Sequence, residues 1–154
     1  MKTKILLFLI SIVASPAFAR LGDTPQQCQE RYGAPRQTQA PLTYYQKSGF
    51  VIMASFYDGK VDCIGFRKVE ENIIKKSIAI SDNEIEQLLK VNAGPATWKK
   101  RDVISMNREW KTEDGGLSAI YTPIDNWLVI CSKGFGDRAT AAKKAKENKA
   151  LQGF

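Results

Sequence analysis

The chain has 154 residues, 44% of them hydrophobic, and a formal charge of +7; this suits one globular domain and is only mildly basic. It contains no histidine, which excludes Ser-His-Asp and Cys-His nucleophilic sites and histidine-bearing zinc sites. The spacing of Cys28, Cys63 and Cys131 matches no metal motif, so no metal and no cofactor is expected.

Lys2 and Lys4 precede an apolar run from Ile5 to Val13 that only Ser11 interrupts, and Pro16 stands before Ala17-Phe18-Ala19. A positive start, a short apolar stretch and a small-x-small site are the pattern of a secretion signal over 1–19. The run falls short of the roughly 20 residues that cross a bilayer, so no transmembrane segment is expected. No cysteine sits at the cut, which disfavours a lipoprotein. The mature chain is expected to start at Arg20 and to be exported, periplasmic or extracellular. In that setting three cysteines suggest one disulfide and one leftover thiol.

Thr24-Pro25-Gln26-Gln27 predicts a helix start. Thr24 caps, Pro25 suits the first helical position and Gln27 completes a capping box. Gly33 and Pro35 end this helix near Tyr32, with Cys28 and Tyr32 on its inner face. Residues 36–41 read as a polar loop. Three strands follow, Leu42–Lys47, Phe50–Tyr57 and Lys60–Lys68, the last two joined by an Asp58-Gly59 hairpin turn. A two-residue turn pairs Phe56 with Val61, Ala54 with Cys63 and Ile52 with Gly65, all on the core face.

Residues 69–80 are open between strand and short helix. Ser81-Asp82-Asn83-Glu84 is a second capping box, and its helix turns Ile85, Leu88 and Leu89 to one side before Gly94-Pro95 ends it. Weaker strands follow over Trp98–Ser105 and Met106–Glu113, then a turn at Asp114-Gly115-Gly116. Leu117–Tyr121 and Trp127–Ser132 read as the last strands. The tail 134–154 is basic and rich in Ala and Lys; without an apolar stripe it reads as a frayed helix or a flexible segment.

The expected fold is α+β, an antiparallel β-sheet with helices packed on one face, in a single domain over 20–133. Thr24 recurs as Ser81, and Asp58-Gly59 as Asp114-Gly115. Residues 20–68 and 81–133 are therefore candidate tandem α-β-β-β units. Leu21-Gly22-Asp23-Thr24 through Tyr32-Gly33-Ala34-Pro35, followed by Tyr57-Asp58-Gly59-Lys60-Val61, resembles the small envelope modules of the SmpA/OmlA lipoprotein type. A tandem pair of such units resembles the β-lactamase-inhibitor-protein architecture. The resemblance implies a protein-binding role, as an inhibitor or an envelope-assembly factor.

The expected core faces place Cys28 and Cys63 together, and these two are the disulfide candidate. Trp98, beside Lys99, Lys100 and Arg101, is the aromatic expected to be exposed, and the four form a candidate partner-binding site; covering the helix end is the rival role for Trp98. Glu70-Glu71 and Glu84 with Glu86 read as surface and capping carboxylates. Lys143-Lys144-Ala145-Lys146 lacks interleaved aromatics, so no nucleic-acid partner is expected. The function expected is an exported, non-enzymatic module that binds another protein. The alternatives are a weak binder of envelope polyanions or lipid head groups through the basic tail, and a carboxylate- or thiol-based hydrolase, which the missing histidine disfavours.

Overall fold

The computed structural model describes residues 20–70 and 73–151. The expected secretion signal over 1–19 lies outside the described residues.

Both capping boxes form. Thr24 Oγ1 accepts from the Gln27 N–H at 3.3 Å while Gln27 Oε1 accepts from the Thr24 N–H at 2.8 Å, starting α1 at Pro25–Tyr32. Ser81 and Glu84 make the same reciprocal pair at the head of α2, Asp82–Ala93. Between the helices lie β1 (Gln37–Gln39), β2 (Leu42–Lys47), β3 (Phe50–Tyr57), β4 (Lys60–Glu70) and β5 (Ile73–Ser77). After α2 come β6 (Trp98–Arg101), β7 (Arg108–Thr112), β8 (Leu117–Thr122), β9 (Trp127–Ser132) and α3 (Lys133–Leu151). The polar loop at 36–41 thus holds a three-residue strand, and the undecided connector holds β5, which pairs with β4.

The strands form one antiparallel sheet in the order β1-β2-β3-β4-β9-β8-β7-β6, with β5 beside β4. Its inner face carries the core. One row across the strands reads Tyr45, Ile52, Phe66, Leu128, Tyr121, and the next reads Ala54, Ile64, Ile130, Ala119. Cys28 and Tyr32 of α1 and Ile85, Leu88 and Leu89 of α2 join the same buried cluster. Both helices therefore lie on one side, and the α+β fold with helices on one sheet face is as the patterning predicts.

Register corrects two expectations. Phe56 opposes Val61 as the turn requires, but Ser55 then opposes Cys63 and Ala54 opposes Ile64. Asp62 is an extra residue, a bulge, and a one-residue slip sends every later side chain to the opposite face. Ile64 and Phe66 therefore take the core positions expected of Cys63 and Gly65. Cys63 faces away from α1 and meets Cys131, its direct cross-strand partner on β9. The disulfide is Cys63–Cys131, with a Cα–Cα distance of 4.0 Å, and not Cys28–Cys63. Cys28 is the free, buried thiol.

The strand order bears on the candidate tandem units without deciding them. The strand order is symmetric about the β4–β9 pair, which matches β3–β4 with β8–β9. The Asp-Gly turns instead join β3 to β4 and β7 to β8. They sit in non-equivalent hairpins, so the Asp58/Asp114 correspondence does not carry a repeat.

Candidate functional site

Alternation along each strand builds the face opposite the helices. Its central row runs Gln37, Tyr44, Met53, Gly65, Val129, Ile120, Glu109, Arg101 across eight strands. A second row runs Gln46, Val51, Arg67, Trp127, Thr122. A third contains Leu42, Ser55, the Cys63–Cys131 disulfide, Ser118, Lys111 and Lys99.

Neither α1 nor α2 lies on this side. Tyr44, Val51, Met53, Trp127 and Val129 are half-buried, and Ile120 is 41% exposed. They make a contiguous apolar strip in which Trp127 is the largest side chain. Its ring lies over Gly65: a Cβ at that position would fall 3.0 Å from Trp127 Cζ3 and 3.1 Å from Met53 Cε. The Arg67 guanidinium carbon lies over the Trp127 ring, 5.1 Å from its centroid. A contiguous apolar strip with a polar rim is the composition of an interaction surface.

The hairpin end of the face is closed by the first two turns of α3. Arg138 pairs with the bulged Asp62 and lies 3.6 Å from the Tyr57 ring centroid. The Phe135 N–H donates to Ser132 Oγ at 3.1 Å. From Ala139 to Ala150 every residue of α3 is exposed, so the rest of the tail is a helix presented to solvent, with Lys143, Lys144, Lys146 and Lys149 along it.

The pleat splits the four residues expected to bind a partner. Lys99 and Arg101 point to the open face and Trp98 and Lys100 to the helix side. Trp98 is half-buried against the core, and its Nε1–H donates to the Leu89 carbonyl at 2.7 Å, at the end of α2. It holds the helix end, the rival role named for it. Lys99 pairs with Glu113 at 3.1 Å and Arg101 with Glu109 at 3.3 Å. Three cations in a row on β6, an edge strand, also discourage pairing with another sheet.

A groove of about 410 Å³ opens on the helix side, between Tyr32 of α1 and Leu88 of α2, floored by Phe50, Ile52 and Phe66. Glu84 stands at its rim. Burial alone would raise the Glu84 carboxyl, but hydrogen bonds from Lys68 and from Ser81 hold it below the usual range. This carboxylate already serves the cap and an ion pair with Lys68 at 2.6 Å, which leaves it no free role as an acid or base. Among the described residues no cluster of three metal-ligating side chains occurs.

The residues that patterning missed are Met53, Arg67, Trp127, Val129 and Ile120. Trp127 falls in an expected strand, but the face it occupies follows from the β4–β9 register, and no local signal encodes that pairing. Fold and face together define an α+β protein with one helix-covered and one open sheet face. Compared with known families, characterised proteins and solved structures, the chain matches none of them.

Proposed function

We propose that this chain is an exported, non-enzymatic module that binds another protein across the open face of its sheet, as an inhibitor or an envelope-assembly factor. The observation that carries the reading is the strip Tyr44, Met53, Val129, Ile120 with Trp127 beside it, on a face that neither α1 nor α2 covers. Apolar side chains held on strands present a fixed surface, and a half-buried aromatic beside them can serve as a binding hot spot. The Cys63–Cys131 disulfide suits an oxidising compartment. No helix among the described residues is long and apolar enough to cross a membrane.

One observation favours a second reading. The exposed lysines of α3 present positive charge away from the body, which suits envelope polyanions or lipid head groups. Capture from the native envelope fraction separates the two. Wild-type bait is compared with Ile120→Glu and with a variant carrying Gln at Lys143, Lys144, Lys146 and Lys149. Face-driven binding persists at high salt, falls about tenfold or more in Ile120→Glu, and is kept in the glutamine variant. Binding that collapses with salt and with the lysines would belong to the tail.

A further inference from the structure

Arg67 stands apart from the other half-buried arginines. Arg31 pairs with Asp23, Arg108 with Asp82 and Arg138 with Asp62; the exposed Arg101 holds Glu109. Among the described residues Arg67 holds no carboxylate, and its Nε is buried without a hydrogen-bond partner. It lines a groove of about 390 Å³ together with Arg36, Tyr44, Gln46, Val51 and Trp127. Among the described residues no acidic side chain lines that groove and Arg36 makes no ion pair.

A buried guanidinium N–H left without an acceptor is costly. Here the guanidinium carbon lies over the Trp127 ring, 5.1 Å from the centroid, and the residue stands between Val51 and Trp127 in the cross-strand row. These neighbours limit where the guanidinium can go before any ligand arrives. A planar carboxylate matches such a fork with two parallel hydrogen bonds. Arg36 adds a second positive charge, and the Tyr44 hydroxyl and Gln46 amide add neutral donors around the same groove.

We propose that Arg67 and Arg36 form a carboxylate-binding subsite that takes an Asp or Glu side chain of the partner protein. Trp127 and Val51 cover the methylene stem of that side chain. This rests on the reading of the open face as a protein-binding surface, and it names what the partner must present there: an acidic residue set among apolar ones. The apolar walls of Val51 and Trp127 favour a carboxylate on a hydrocarbon stem over a fully hydrated phosphate ion.

The test is an NMR titration of the full chain with acetate, acetamide and inorganic phosphate at constant ionic strength, following the Arg67 Nε–H and Trp127 indole N–H signals. Acetate should move both signals saturably and acetamide should move neither. Acetate affinity should fall about tenfold in Arg67→Lys, which keeps the charge but loses the fork. No saturable shift with acetate, or an unchanged shift in both Arg67→Lys and Arg67→Gln, would overturn the subsite. Saturation by phosphate at lower concentration than acetate would also overturn it. The titration uses no partner, so its outcome is separate from that of the capture experiment. An absent acetate shift removes the subsite and leaves the face; failed capture by the face removes the partner's side chain as the source.

Discussion

Asp62 has no residue opposite it in the β3–β4 hairpin, and this single insertion turns Cys63 from the α1 side to the side of Cys131. Two consequences are measurable. Non-reducing peptide mapping should recover Cys63 joined to Cys131, and Cys28 should become accessible to thiol reagents only on unfolding, since it is 0% exposed. The bridge spans 68 residues, so its removal should cost about 4 kcal/mol in the chain-entropy model, read from denaturant melts of a Cys63→Ser/Cys131→Ser variant. Burial, and then the neighbouring Asp23 charge, push the Cys28 thiol up to about 12 from 9.0. The folded state therefore holds this proton more tightly than the unfolded chain. Its contribution to stability is full below about pH 9 and is lost as pH rises towards 12. Wild type should lose more stability across that window than Cys28→Ala. At Gly65 the neighbouring strand supplies the constraint: Val there must displace Trp127 or Met53, with an expected loss of about 1–3 kcal/mol and a changed tryptophan emission. Cys28 facing inward was legible from its spacing to Tyr32. The bulge was not, because Val61-Asp62-Cys63 carries no glycine or proline to announce it.

At the scale of elements, local chemistry was informative wherever it acts within a few residues. Both capping boxes, the glycine stops and the Asp58-Gly59 turn formed where the residues placed them, since each is closed by hydrogen bonds three or four positions apart. Replacing Ser81 by Ala should cost about 1 kcal/mol and also release Glu84, whose Oε2 accepts from the Ser81 N–H and Oγ–H. β1 was illegible because its three residues are all exposed and owe their conformation to pairing with β2. The tail is a case of intermediate legibility: composition favours a helix, yet the docking of its first two turns depends on Asp62, which is distant in sequence. Truncation after Thr140 should leave the melting temperature nearly unchanged. Truncation after Ser132 removes the Arg138 partner of Asp62, and should cost about 1–2 kcal/mol, seen as a drop of several degrees.

Across the whole molecule, β4 and β9 join the part of the sheet built before α2 to the part built after it, and the disulfide ties that seam. Their pairing joins residues far apart in the chain, so sequence pattern places each strand but not its neighbour. That is why the α+β class was legible while the open face was not. Trp98, expected to be exposed because it follows Gly94-Pro95 and precedes three cations, is drawn in by the Leu89 carbonyl; Trp127 is left on the open face by the register of β4 against β9. On the proposed function a partner protein sits on this face. Site-specific photo-crosslinking in the native host tests it most directly, with the photoreactive residue placed at Ile120 on the open face, at Gln87 on the helix side, or at Lys144 on α3. The account predicts a discrete protein adduct from position 120, resistant to salt, and none from positions 87 or 144. Adducts from 87 or 144 with none from 120 would contradict it.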